Sequence, residues 1–160
     1  MHMRWTLPLA NDQAQTVSPN KVTQNESAAD AQLSYFHFYG IFARMIFSGI
    51  ANAVKKYTYG QESIDLARIA IALERFRLAH GNYPESLDAL APEFMAEIPH
   101  DIIGGQPLHY RRTDDGQFVL YSVGWNETDD GGVVVLNKGS TPSVNRDEGD
   151  WVWRYPSKAE

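Results

Sequence analysis

The sequence predicts an α+β domain in which a long N-terminal helix packs on a small antiparallel sheet, with a short second helix between them. Three observations predict this fold. Apolar residues recur every three or four positions through residues 61–80, apolar and polar residues alternate on both sides of a turn at 113–116, and the helical and strand patterns occupy separate halves of the chain. Helices that precede strands, rather than alternating with them, are typical of the α+β class.

Length and composition restrict the class of protein further. The chain has 160 residues, of which 43% are hydrophobic, and this size fits one globular domain with some additional length. Lys and Arg total 14 against 20 for Asp and Glu, so the net charge of −6 predicts no nucleic acid partner, which would require a basic surface. The chain has no cysteine, which excludes disulfides, thiolate metal sites and cysteine nucleophiles.

The N-terminal third of the chain divides into two predicted segments. Residues 1–30 are rich in Gln, Asn, Ser and Thr without a helical or strand period, so we expect a disordered leader. Residues 33–54 are mostly apolar and long enough to cross a bilayer, but a central Arg44 costs ~2.5–3.5 kcal/mol on insertion scales. We therefore expect residues 31–56 to form an apolar helix that lies on a membrane surface or packs on a partner.

The basic residues that follow this segment bear on its orientation. Lys55 and Lys56 stand at its C-terminal end. If residues 33–54 did span a membrane, these two lysines would tend to hold that end, and the rest of the chain, in the cytoplasm.

The strongest helical pattern lies at 61–80, and its apolar seam is expected to face the sheet. The seam consists of Leu66, Ile69, Leu73 and Phe76. Gly81 followed by Pro84 predicts the end of the helix. Because no proline occurs between Pro19 and Pro84, the helix can extend back towards Ala28 as a bent spine.

The rest of residues 57–160 completes the predicted domain. A short helix with Leu87 and Leu90 is expected between two prolines. Alternating residues at 108–111 and 118–123 predict a hairpin around the turn Thr-Asp-Asp-Gly. Residues 132–136 and 151–155 are expected to form further strands, separated by a polar loop.

Three short motifs suggest a family. They are Gly81-Asn82-Tyr83-Pro84, then Gly105-Gln106-Pro107-Leu108-His109-Tyr110, then Leu120-Tyr121-Ser122-Val123-Gly124. In this order they resemble the soluble domain of type II secretion major pseudopilins and related type IV pilin-like proteins, over about residues 61–155. The chain is still more similar to a group of envelope proteins that end in GWNxTDDGG…GDWVWRYP. It departs from the pilin pattern in lacking the short basic leader followed by Phe-Thr-Leu-Ile-Glu.

The resemblance implies a non-enzymatic structural or assembly module of the bacterial cell envelope. It implies a membrane-associated position on the periplasmic side, and a protein partner or self-assembly through the N-terminal helix. The lysine argument above would instead place the domain in the cytoplasm if residues 33–54 span a membrane.

An acidic stretch near the C-terminus predicts a metal site. Calcium prefers six to eight hard oxygen ligands, which closely spaced carboxylates and carbonyls on a glycine-rich turn can supply. The resemblance implies a calcium ion bound by the Val123 carbonyl, by Asn126 and by three carboxylates. The carboxylates are those of Asp129, Asp130 and Asp150. The alternative is a solvated acidic turn, and an EF-hand is disfavoured because Asn137 stands where a bidentate Glu is required.

No catalytic constellation is recognised. The motifs HExxH, GxSxG and GxxxxGK[ST] do not occur, and His100-Asp101 has no histidine partners at metal-ligand spacing, so the sequence predicts no enzyme. Alternation places Trp151 and Trp153 on one sheet face, where packing on the long helix is the expected outcome. The alternative function is a ligand-binding module, with carbohydrate as one candidate ligand, or an enzyme accessory module, and either would use this Trp/Tyr face with Trp125 and Tyr155.

Overall fold

A computed structural model describes residues 10–11, 15–33, 39–139 and 141–153; for 10–11, 29–33 and 39–47 it describes the backbone alone. The elements in chain order are β1 (Ala10–Asn11), β2 (Thr16–Val17), α1 (Pro19–Leu33), α2 (Tyr39–His80), a 3₁₀ helix (Leu87–Leu90), β3 (His109–Arg112), β4 (Phe118–Ser122), β5 (Val134–Asn137), β6 (Ser143–Gly149) and β7 (Trp151–Val152). This order, with a long helix, a short helix and then antiparallel strands, confirms the predicted α+β class.

Helix α2 is the longest element of the fold. Its 42 residues span about 63 Å at the usual rise of an α-helix. The predicted seam is confirmed, because Leu66, Ile69 and Leu73 are each at most 3% exposed, and Phe76 packs against the same core. The helix ends at His80, and Gly81 follows it with a φ of +84°. This left-handed conformation is typical of the residue that terminates a helix.

The sheet that covers this seam has three strands in the order β3-β4-β7, all antiparallel. Phe118 and Leu120 on β4 face the helix, and Leu108 joins them just before β3. Leu87 and Leu90 on the 3₁₀ helix belong to the same core. The two leucines of the predicted short helix are therefore buried as their spacing indicates.

Strands β5 and β6 form a separate hairpin. The sequence analysis assigns residues 143–149 to a polar loop, whereas the structure has strand β6 there. Its sequence, SVNRDEG, has no apolar alternation because neither face of the strand enters the core. Lys55 on α2 forms an ion pair with Asp147 on β6, so the hairpin is tied to this helix. The last strand ends at Val152, and residues 154–160 lie outside the described part of the chain.

The structure also differs from the expectation for the leader. Residues 19–33 form α1, with Pro19 at its first position, and Val17 and Val22 are buried. The amide of Val17 donates to the carbonyl of Ile102 at 2.8 Å. Because this segment is held by a few isolated apolar side chains, it shows no apolar period that a sequence pattern could reveal. The leader's residues 1–9 and 12–14 lie outside the described part.

The predicted boundary between residues 56 and 57 falls inside continuous helix, since α2 runs from Tyr39 to His80. The predicted apolar helix 31–56 is therefore the end of α1 followed by the first part of α2, and residues 34–38 between them lie outside the described residues. Within the described segments, no helix combines the length and apolar character needed to cross a membrane.

Candidate functional site

Two loops meet at the C-terminal end of β4: the Asp101 loop (residues 100–106) and the acidic loop (residues 123–133). The Asp101 carboxylate is 1% exposed and joins the two. Its Oδ1 accepts hydrogen bonds from Ser122 Oγ at 2.9 Å and from the Ile103 amide at 2.8 Å, and its Oδ2 accepts from the Val123 amide at 3.0 Å. One side chain therefore fixes a loop and the strand end beside it. Burial raises the pKa of Asp101, and these three hydrogen bonds oppose the rise.

Glu62 on α2 lies beneath the Asp101 loop and is 1% exposed. Its Oε2 accepts a hydrogen bond from the Ile102 amide at 3.0 Å, while its Oε1 has no partner among the described residues. Burial, together with the nearby charge of Asp101, raises the pKa of Glu62 to about 8. At neutral pH the side chain therefore holds a proton.

Asp150 closes the acidic loop from the link between β6 and β7. It is 1% exposed, and its carboxylate accepts hydrogen bonds from three backbone amides. The amide of Asp130 donates to Oδ1 at 3.3 Å, and those of Gly132 and Val133 donate to Oδ2 at 2.6 and 3.2 Å. Burial raises the pKa of Asp150, against the effect of these hydrogen bonds. The carboxylate thus serves as the internal cap of the loop.

The other predicted calcium ligands have protein partners as well. The side-chain amide of Asn126 donates to Asp130 Oδ2 at 2.9 Å, and Asn126 Oδ1 accepts from the Thr128 amide at 3.1 Å. The carboxylate of Asp129 lies beside β3 and β4, where its Oδ1 accepts from the Tyr121 hydroxyl at 3.0 Å and its Oδ2 is 3.4 Å from His109 Nδ1. Hydrogen bonds from the Gly131 amide and from this hydroxyl lower the pKa of Asp129.

These positions bear on the predicted calcium ion. The donors are the right kind for calcium, since all are oxygens of carboxylates, an amide or a backbone carbonyl. The structure brings Asn126, Asp130 and Asp150 to one loop and places Asp129 at the outer face of the sheet. Over the described ranges, no group of three or more His, Asp or Glu side chains is arranged to hold a metal ion.

A close backbone contact locks the start of the acidic loop. Gly124 has a φ of +72°, and a Cβ atom there would lie 2.5 Å from the carbonyl oxygen of Gly149. Real Cβ atoms do not approach a carbonyl oxygen so closely, so only glycine fits at this position. The positions of the loop and of the chain leading into β7 are therefore coupled.

A polar cleft of about 610 Å³ adjoins the Asp101 loop. It lies between α2, strand β2 and the segment 97–102. Its walls include Tyr57, Gln61, Asp65, Arg68, Glu97 and His100. Arg68 and Asp65, one turn apart on the α2 wall of the cleft, form an ion pair at 2.8 Å. His100 is exposed here, whereas its neighbour Asp101 is buried, so the His100-Asp101 dipeptide is split between surface and interior.

The sequence analysis missed Glu62 as a residue of this region. A signal for it exists, because Glu62 stands four residues before Leu66 and therefore on the face of α2 that carries the apolar seam. Burying a carboxylate at a core-facing position costs free energy unless the group is protonated or hydrogen-bonded. A Glu on this face of the helix therefore indicates a buried carboxyl with a specific partner or a raised pKa.

The tryptophans pack inward. Trp151 is 2% exposed and meets the ring of Tyr59 on α2 edge-on, with 5.2 Å between the centroids. Trp153 packs against the core, in line with the packing expected for both. Trp125 is half-buried, and the Lys55 ammonium lies 5.4 Å from the centre of its ring.

Comparison of the chain with protein family models, with curated proteins and with solved structures gives no match. The structure thus establishes the α+β class and the geometry of the two loops. The resemblance to pseudopilins stays a prediction that rests on the sequence motifs.

Proposed function

We propose that the protein is a non-enzymatic structural or assembly module of the bacterial cell envelope, resembling a secretion pseudopilin. The observation that supports this most is the two-sided character of α2. One face of the helix is buried in the domain through Leu66, Ile69 and Leu73, while Ile64 and Ile71 on the opposite face are more than half exposed. An exposed apolar helix face of this kind suits a module that docks on other proteins or on a membrane surface.

The buried carboxylates support a structural role too. Glu62, Asp101 and Asp150 each accept hydrogen bonds from backbone amides of the loops. Their chemistry is thus used to hold the chain in place. The alternative of a carbohydrate platform on the Trp/Tyr face draws no support from Trp151, whose ring is covered on α2.

The location of the protein tests the proposal. In cells that express the full chain, we expect it in the membrane or periplasmic fraction, and we expect added protease to digest it in spheroplasts but not in intact cells. A cytoplasmic enzyme expressed in the same cells serves as the control for lysis. Recovery of the chain in the cytosolic fraction, protected from protease in spheroplasts, would contradict the proposed envelope role.

Calcium ordering of the acidic loop is part of this proposal, and it is tested separately by thermal melting of the full chain with millimolar calcium, with magnesium and with a chelator. A ligand at a hundred times its Kd adds ~2.7 kcal/mol to the free energy of unfolding, which corresponds to a rise in Tm of roughly 5–10 °C for a chain of this size. We expect this rise with calcium alone.

The variant Asp130→Ala should abolish the calcium response, because it removes an exposed predicted ligand whose carboxylate accepts a hydrogen bond from the Asn126 side chain. Asp114→Ala, in the exposed hairpin turn between β3 and β4, is the matched control and should respond as the wild type does. Identical melts in the three conditions would exclude calcium and leave the solvated acidic turn held by Asp150.

A further inference from the structure

The exposed face of α2 carries a regular stripe. Five large apolar residues on this helix are between 45% and 76% exposed, and each follows the previous one by seven positions. They are Ile50, Tyr57, Ile64, Ile71 and Leu78. A spacing of seven keeps side chains on one face of a helix, as in the seam of a coiled coil. The stripe lies opposite the residues that face the sheet.

Small residues fill the gaps of this stripe. Ala53, Gly60 and Ala67 also follow one another by seven positions, and each stands three residues after a large member. Ala53 and Gly60 are exposed, and a Cβ atom added at Gly60 would have open space for 4 Å around it. Small residues allow the backbone of a second helix to approach closely.

The stripe is complementary to itself when a second copy runs antiparallel. If Ile64 of one copy is placed opposite Ala67 of the other, the same register places Ile71 opposite Gly60. It also places Leu78 opposite Ala53. Three of the five large side chains, those of Ile64, Ile71 and Leu78, then face small ones across the interface, which is the condition for close helix packing, while Tyr57 lies opposite Glu74.

A parallel pair lacks this complementarity. It would place each large residue against its own copy, and Glu74 against Glu74 in the row of small residues. Like charges in contact oppose association, and antiparallel helices also have favourably opposed dipoles. The antiparallel arrangement is thus favoured by the match of large and small side chains, and it separates the two Glu74 side chains.

The exposed area is large enough for a dimer. From their exposed fractions, the five large side chains present roughly 600 Å² of surface, the upper end for the largest apolar patch on a typical monomer. If all of this surface were covered, two copies would bury about 1,200 Å² in total from these residues, which is the lower limit for a specific interface. A dimer of micromolar affinity is the expected result.

We propose that the protein self-associates as an antiparallel two-helix dimer through this α2 stripe. The inference rests on the proposed assembly role and names the partner as a second copy of the chain. The symmetric contact uses the same surface on both copies, so it closes on itself as a two-fold dimer.

Sedimentation equilibrium of the full chain, from about 1 to 100 µM, tests the proposal. We expect the double variant Ile64→Glu/Ile71→Glu to raise the dimer dissociation constant at least about 30-fold, because it places charges in the centre of the interface. Far-UV circular dichroism should stay unchanged, since both side chains are exposed. The matched control is Val133→Glu/Leu136→Glu, which alters two residues of similar exposure, 55% and 47%, outside α2; it should dimerise as the wild type does.

Disulfide cross-linking tests the orientation of the two helices. Because the chain has no cysteine, only the introduced thiols can react. An equimolar mixture of Leu78→Cys and Ala53→Cys should form the mixed disulfide dimer, whereas Leu78→Cys alone should form far less. Preferential cross-linking of Leu78→Cys to itself would show a parallel pair and overturn the antiparallel register.

Two further outcomes would overturn the dimer itself. One is a wild-type chain that sediments as a monomer over the whole concentration range; the other is association that the double Glu variant leaves unchanged, which would place the contact elsewhere in the chain. Either result leaves the fractionation experiment to decide the envelope role independently.

Discussion

Replacing Asp101 with alanine is expected to lower the free energy of unfolding by about 3 kcal/mol. The carboxylate accepts hydrogen bonds from the Ile103 amide, the Ser122 hydroxyl and the Val123 amide; Ile103 and Ser122 are buried and Val123 is half-buried. Without the carboxylate these donors are left unsatisfied, and each buried donor without a partner costs about 1–3 kcal/mol unless it can reach water.

Urea unfolding of the full chain measures this loss. Asp114→Ala removes a carboxylate from the exposed hairpin turn and is expected to change the free energy of unfolding by less than about 0.5 kcal/mol. Equal stabilities of the two variants would show that the Asp101 loop does not depend on its carboxylate.

The stability of the protein should fall as the pH rises from about 4.5 to about 8, and Glu62→Gln should remove most of that fall. The pKa of Glu62 is raised from 4.5 to about 8, so within this window the folded chain keeps a proton that the unfolded chain has released. Protonation of Glu62 therefore stabilises the folded state within this window. The contribution is complete below pH 4.5, declines by at most ~1.4 kcal/mol per pH unit, and is lost above pH 8.

The total effect of Glu62 is expected to be roughly 2–4 kcal/mol. The raised pKa of Asp101 acts in the same direction. Gln keeps the shape and the oxygen that accepts from Ile102 but cannot ionise, so Glu62→Gln should be more stable than the wild type at pH 8.5 and close to it at pH 5.

Urea unfolding at pH 5, 7 and 8.5 provides the comparison. Glu93→Gln, at an exposed carboxylate, is the matched control and should follow the wild-type slope. If Glu62→Gln shows the same pH slope as Glu93→Gln, the buried carboxyl does not carry the proton inferred for it.

Local patterns predicted much of the fold. The seam of Leu66, Ile69 and Leu73 and the hairpin β3–β4 were recognisable because their signals lie within a few residues of one another. Helix α1 and strand β6 were not, because they are held by contacts with distant segments. Val17 binds the Asp101 loop, and Asp147 pairs with Lys55, at separations that no local period records.

The candidate site shows the same division. The sequence places Asp129, Asp130 and Asp150 among the acidic residues near the end of the chain, but it does not say which carboxylates are used internally. The fold decides that Asp150 caps the acidic loop and that Asp129 turns to Tyr121. A carboxylate's role depends on the amides that reach it, and these come from other segments.

Helix α2 illustrates what each level determines. The sequence by itself determined the apolar seam through Leu66, Ile69 and Leu73 and placed it against the sheet, but it did not single out the second stripe through Ile64 and Ile71. Only the tertiary structure decided that this second stripe stays exposed. The physical reason is that strands β3, β4 and β7 return to the helix from 30 to 90 residues further along the chain, so the burial of each face depends on long-range packing that helical periodicity does not contain.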